Sequence, residues 1–242
     1  PVAGGFLARV DYGWLFIADG ATCLAAAVVL GFFFHRRPPG PDTEPAPADG
    51  VPITEPARDR PFLVFLVLAT LLASVLFQFA SALPLALRDS YGLDEARIGM
   101  IFAVNTLIIL LLEMVLIDRL SGVPPLRLVA WGSLAMGFGY GLVPLGGSFA
   151  FAALLMAVVT VGEMLSLPPA ESFAAGRADA ASRGRYLGLF NVSFAVALTV
   201  GPALGTWVYG RLGPETLWTG CAVTGLLLWG GFELMNKTLT KD

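Results

Sequence analysis

Charge is scarce in this sequence. Asp, Glu, Lys and Arg make up 14% of the 242 residues, where a water-soluble domain carries about 25%. A surface wetted on all sides cannot be built from so few ionisable side chains, so an ordinary soluble globular protein is excluded. Histidine is scarcer still: His35 stands alone, on the basic flank of a polar stretch. Without a histidine cluster, a P-loop or metal-ligand spacing, nothing calls for a cofactor, a metal centre, an ATP-driven pump or an intramembrane hydrolase. The two cysteines, Cys23 and Cys221, fall inside apolar stretches. They cannot form a disulfide framework, and they read as small structural hydrophobes. The net charge is −3 and no basic patch is interleaved with aromatics, which leaves nucleic-acid binding without support. The run Gly137-Phe-Gly139-Tyr-Gly141 lacks the spacing and the preceding strand of a phosphate-binding loop.

What the sequence does have is apolar length. Hydrophobic residues make up 56% and the mean hydropathy is +0.75. Crossing the hydrocarbon core takes about 20 apolar residues in a helix. Seven stretches qualify: Tyr12–Phe34, Phe62–Leu87, Arg97–Ile117, Pro125–Leu145, Phe149–Pro168, Tyr186–Tyr209 and Glu215–Met235. Lipid cannot satisfy an open sheet edge, and runs such as LIILLLEMVLI do not alternate as barrel strands do. The expected class is therefore all-α, a polytopic transmembrane bundle of about seven spans.

Most of these spans are joined by short turns. The exception, residues 35–61, is polar and proline-rich, too poor in apolar surface to fold alone, and reads as a flexible linker. One helix precedes it and six follow. The basic residues set the orientation. If the linker is cytoplasmic, eleven Lys and Arg lie in inside loops and four in outside loops, so the C-terminus is expected in the cytoplasm. The chain begins at Pro1, with no charged segment ahead of its first apolar run. The expectation is a piece of a longer protein rather than a cleaved signal peptide.

An internal repeat is the most specific pattern. PVAGG near the start is followed by Trp14 in WLFIADG; Gly201-Pro202-Ala-Leu-Gly205 is followed by Trp218 in LWTGCAVTG. The two prolines are 201 residues apart and the two tryptophans 204, which suits two homologous six-helix halves. With these motifs the chain resembles the major facilitator superfamily. PVAGG is similar to the tail of the Gly-Pro-x-x-Gly-Gly motif of a fifth helix associated with drug–proton antiporters, which assigns Pro1, Gly4 and Gly5. Asp118-Arg119-Leu-Ser-Gly122 resembles the weaker C-domain copy of the Gly-x-x-x-Asp-Arg-x-Gly-Arg-Arg loop. It departs from that pattern with Met114 at the leading glycine and Val123-Pro124 at the basic pair. Arg183-Gly-Arg-Tyr-Leu-Gly188, followed by Gly201-Pro-x-x-Gly205, is similar to the tenth-to-eleventh helix region. The resemblance implies that residues 1–34 are a remnant of an N-terminal bundle (the end of helix five, and helix six) and 62–242 a complete C-terminal six-helix bundle. It also implies alternating access, a bacterial inner membrane, no enzymatic activity, and missing N-terminal helices of the same protein as partners. Proton-coupled efflux of small organic solutes is the implied activity. An importer or uniporter of a sugar or other metabolite stays open beside it, as does a receptor or assembly protein that kept the fold.

Charged groups in the bilayer interior cost about 2.5–3.5 kcal/mol on insertion scales, so each needs a reason. Glu163 is placed deepest, inside TVGEMLSLPP, where a carboxyl that gains and loses a proton could couple proton movement to conformational change. The alternative is a structural bond, with Arg183 or Arg185 as candidate partners. Glu113 precedes Asp118 by five residues; it reads either as part of a proton pathway or gate, or as an ion pair with Arg119 or Arg127. Asp19 and Glu233 lie near span ends and are expected to reach the interface. Ser74, Gln78 and Ser81 share a helix stripe. With Asn105 and Asn191 they either outline a solute cavity or hydrogen-bond helix to helix. Gly201 and Gly205 form a small-x-x-x-small step, Pro202 beside them is a kink, and Pro84, Pro144 and Pro168-Pro169 are expected near span ends.

Overall fold

The computed structural model describes residues 12–34, 55–179 and 181–240, and every regular element among them is helical. We label these α1 (Tyr12–Phe34), α2 (Arg60–Leu76), α3 (Ala82–Asp89), α4 (Glu95–Arg119), α5 (Pro125–Gly141), α6 (Phe149–Gly176), α7 (Arg183–Arg211) and α8 (Pro214–Leu239). Local chemistry explains several starts. Asp59, Asp94 and Ser148 accept hydrogen bonds from the amides of Phe62, Arg97 and Phe151, covering N–H groups that a helix leaves orphaned at its first turn. Pro125 and Pro214 open α5 and α8, where a missing N–H costs nothing.

Six described helices are long and apolar enough to cross a membrane, with α2 and α3 counting as one span, Arg60–Asp89. That span is broken by a 3-10 turn at Phe77–Ala80. Pro84 has no N–H for the Ala80 carbonyl, and Ser81 leaves helical geometry with φ −126° and ψ −80°. In α1 the apolar stretch is the shorter Asp19–Phe32, and its described side chains from Ile17 to Phe32 are all exposed. The expected span boundaries hold to within a few residues except in α6. There Pro168 and Pro169 do not end the helix: they sit inside it, and it runs on to Gly176. The surrounding bundle holds the helix in register although two ladder hydrogen bonds are lost.

Packing pairs α5 with α6 and α8, α2 with α7 and α8, and α4 with α6. The closest approaches run through glycine. A Cβ on Gly137 would come within 2.7 Å of the Gly225 Cα, and one on Gly162 within 2.7 Å of the Met136 amide nitrogen. The glycine run of α5 thus serves contact between helix backbones. Aromatic rings fill the core. Phe62 lies 4.4 Å from Tyr186 and Phe65 4.7 Å from Phe173, ring centre to ring centre, at one end, while Tyr140 stacks on Trp218 at 5.8 Å toward the other. By contrast α4 and α7 are the least buried of the six spans. Leu110 is 75% and Met114 77% exposed, so these faces are built for lipid or for another apolar partner, not for water.

Candidate functional site

A polar group that includes an acid forms between α4 and α6. Asn105 on α4 donates through Nδ2 to a Glu163 carboxylate oxygen at 2.9 Å and to Thr160 Oγ1 at 3.0 Å, both on α6. Thr160 in turn donates to the Met156 carbonyl one turn earlier, at 2.7 Å. Thr160 and Glu163 are three residues apart and so share a helix face, which is why one amide reaches both. Asn105 and Thr160 are buried, and Glu163 is partly buried. The pairing is structurally sound: a carboxylate in this position keeps a donor, while one of its oxygens stays available for a proton.

Glu113 lies two turns beyond Asn105 on α4 and acts electrostatically on Glu163. Asn105, Thr106, Ile109, Leu110, Glu113 and Met114 line an open cavity of about 360 Å³ on that helix. Asp118 and Arg119 end the helix with exposed side chains. Two of the four basic residues weighed as partners for these acids are paired elsewhere. Arg185 pairs with Glu55 at 3.0 Å, and Arg127 approaches Glu233 at 4.0 Å. Among the described residues neither Glu163 nor Glu113 makes an ion pair.

Ser74, Gln78 and Ser81 belong to a different place. Gln78 donates to the Ser74 carbonyl at 3.0 Å and across to the Gly201 carbonyl of α7 at 2.9 Å. Ser74 donates to Thr70 and Ser81 to Phe77, each within its own turn. A Cβ on Gly201 would meet the Ser74 Cα at 3.0 Å, and one on Gly205 would overlap the Gln78 amide. So this stripe ties α2 to α7. Its outer side also lines an apolar cavity of about 350 Å³ with Leu204, Val208 and Cys221. Asn191 is exposed on α7, away from both groups. Gly122 has open space where a Cβ would stand. Pro202 sits inside α7. Pro1, Gly4 and Gly5 lie outside the described residues.

One network was not anticipated. Asp59, the N-cap of α2, accepts two hydrogen bonds from Arg177, at 2.8 and 2.9 Å, and one from the Tyr186 hydroxyl at 3.1 Å. Burial works against its charge, but Arg177, the Phe62 amide and Tyr186 together hold the carboxyl below the usual range. Asp59 was missed in the sequence; an acidic residue just before the apolar run of α2 was the signal for a cap, and nothing along the chain signalled that the end of α6 and the start of α7 meet it. Thr160 was likewise missed, although its spacing from Glu163 offered the signal.

The family model for the Major Facilitator Superfamily matches residues 1–197. The chain belongs to the major facilitator superfamily. This is a family of multi-pass membrane transporters, not of enzymes. One similar protein is named the "Na(+), Li(+), K(+)/H(+) antiporter" of Planococcus maritimus, 24% identical over 193 residues, covering 74% of this chain and 43% of that protein. Another is named "Multidrug resistance protein MdtH" of Cronobacter sakazakii (strain ATCC BAA-894), 30% identical over 192 residues, covering 73% of this chain and 46% of that protein. The chain thus matches less than half the length of either relative.

Proposed function

We propose that this chain is the C-terminal part of a proton-coupled secondary transporter that exports small organic solutes by alternating access. The observation that carries the reading is the Asn105–Thr160–Glu163 group. It sets a carboxylate inside an apolar span, anchored by one amide and free of any cationic partner among the described residues. An arginine partner would favour the charged carboxylate and oppose its protonation; a neutral amide leaves it freer to take up and release a proton. Glu113 gives that proton a second acidic station toward the helix end. The similarity to a protein named for multidrug resistance and to one named as a proton antiporter supports the same reading.

The exposed apolar faces of α4 and α7 would be covered by lipid and by N-terminal helices of the same protein. α1 would be the last helix of that bundle, residues 35–61 the linker and 62–242 the complete second bundle. The membrane would be a bacterial inner membrane, with the C-terminus in the cytoplasm. Since the Planococcus relative is named for alkali cations, an oxygen-rich acidic pathway also suits exchange of a monovalent cation for protons, and the test separates the two.

The test uses the full-length parent protein in proteoliposomes with an imposed pH gradient, comparing wild type with Glu163→Gln. Loss of gradient-driven solute movement with solute–solute exchange retained places Glu163 in the proton pathway. Coupled movement unchanged in the variant makes Glu163 structural, whereas wild-type solute movement that does not respond to the pH gradient moves a uniporter ahead. A pH gradient dissipated by sodium, lithium or potassium, and not by organic solutes, selects the cation exchanger.

A further inference from the structure

Where α5 starts and α8 ends, four large side chains line the seam between them. Arg127 and Trp131 stand one turn apart on α5, and Trp229 and Glu233 one turn apart on α8, so each pair shares a helix face. The two indoles meet edge to face with ring centres 5.9 Å apart. One turn nearer the helix ends, Arg127 reaches Glu233 at 4.0 Å. The Arg127 side chain is 58% exposed and that of Glu233 19%, so the pair is loose and leaves the guanidinium open to a further partner. Lys237, one turn beyond Glu233 on the same stripe, is exposed and makes no ion pair among the described residues. The seam thus carries two cations and one carboxylate. Trp131 is 48% exposed, and further from the helix ends Phe138 on α5 and Leu226 on α8 are 57% and 54% exposed.

Both helices are long and apolar enough to cross a bilayer. An exposed guanidinium in the first turn of such a span lies at the level of lipid headgroups, and tryptophan favours the same level. The planar fork of arginine matches the oxygens of a phosphate, and the excess of positive charge favours an anionic headgroup over a zwitterionic one. A soluble anion would use only the two cations. Phe138 and Leu226 add an apolar strip that runs from them toward the middle of the span, where an acyl chain would lie. We propose that the seam between α5 and α8 binds an anionic phospholipid, its phosphate at Arg127 and Lys237, its glycerol region against Trp131 and its acyl chain along Phe138 and Leu226. This site depends on membrane embedding alone, not on what the protein transports.

The test is photolabelling of the full-length protein in phosphatidylcholine nanodiscs, mapped by mass spectrometry. The probe is a phosphatidylglycerol with a diazirine high on one acyl chain, compared with the matching phosphatidylcholine. The phosphatidylglycerol is expected to label peptides spanning residues 127–138 and 226–237 about fivefold more strongly, the factor that roughly 1 kcal/mol for one basic side chain near an anionic headgroup corresponds to. Arg127→Gln should bring it down to the level of phosphatidylcholine. Arg211→Gln, exposed at the opposite end of the bundle, should leave it unchanged. Glu233→Gln, which removes the competing carboxylate, should raise it, and an excess of soluble glycerol phosphate should not compete. Equal labelling by the two lipids, labelling unchanged by Arg127→Gln, an equal loss in both arginine variants, or competition by glycerol phosphate overturns the proposal. A fall in Glu233→Gln overturns it in favour of an amine-bearing zwitterionic headgroup.

Discussion

Asn105 is the residue on which the candidate site turns, because one amide serves two acceptors on the neighbouring helix. Asn105→Leu keeps the bulk and removes the donor, leaving the Glu163 carboxylate without its partner. A buried acceptor deprived of its bond costs about 1–3 kcal/mol, so the midpoint of thermal unfolding in detergent should fall measurably. Glu163→Gln retains a group able to bond Asn105 and should leave the stability within about 0.5 kcal/mol of wild type, as a substitution without cavity or clash does. The pair of variants therefore separates loss of structure from loss of coupling. Gly205 poses a purely steric question. Gly205→Val drives a branched side chain into the Gln78 amide, which already bridges to the Gly201 carbonyl. Overpacking of this kind costs about 1–3 kcal/mol, to be read from the same unfolding measurement, whereas Gly210→Ala, where a Cβ meets nothing within 4 Å, should be silent.

Three helix ends are joined by a single carboxylate. Asp59 caps α2, takes both Arg177 hydrogen bonds after the end of α6, and receives the Tyr186 hydroxyl near the start of α7. Its side chain is only 8% exposed and that of Arg177 28%, so solvent screens the pair less than it would a surface pair, worth about 0–1 kcal/mol. Asp59→Ala removes three interactions at once and strands the guanidinium. We expect a loss of about 2–3 kcal/mol, scaled down from the 3–5 kcal/mol of a fully buried pair. The sign of the pH dependence follows from the lowered carboxyl. The stabilisation is complete above the carboxyl's ordinary value of 3.8, and it is lost as pH falls through the lower folded-state value. Unfolding temperature followed from pH 7 to pH 3 should therefore drop less steeply at the acid end in Asp59→Asn than in wild type. Glu55 and Arg185, both more than half exposed, should contribute little when replaced.

At the scale of the whole molecule, the six spans of residues 60–239 form one packed bundle, yet α4 and α7 present apolar faces that the bundle leaves uncovered. A solute path between two bundles would have only one wall in this chain. On the proposed two-bundle reading, residues 1–242 reconstituted alone should bind to lipid and fold and should show no solute counterflow, which the full-length protein should show under the same conditions. Counterflow by residues 1–242 alone would contradict the two-bundle reading.

Composition determined that lipid is the solvent, and the length and non-alternating pattern of the apolar runs determined that the spans are helices, because backbone groups in hydrocarbon must be satisfied within a helix or a closed barrel and a barrel strand would alternate. Span positions followed from apolar length, and a buried Glu163 was conspicuous because a carboxylate is costly there. What surrounds Glu163 was decided only by tertiary structure. Arg183 and Arg185 were the partners weighed for it, and the packing of α4 on α6 supplies Asn105 instead. The same holds for Gln78: its stripe was visible, but its bond to Gly201 depends on the close approach of α7 that Gly201 and Gly205 permit. Pro168 and Pro169 were expected near a span end, because an isolated helix stops at such a pair. Packing against α4 and α5 carries α6 through them, since contacts distributed along a whole helix outweigh the two hydrogen bonds that the prolines remove.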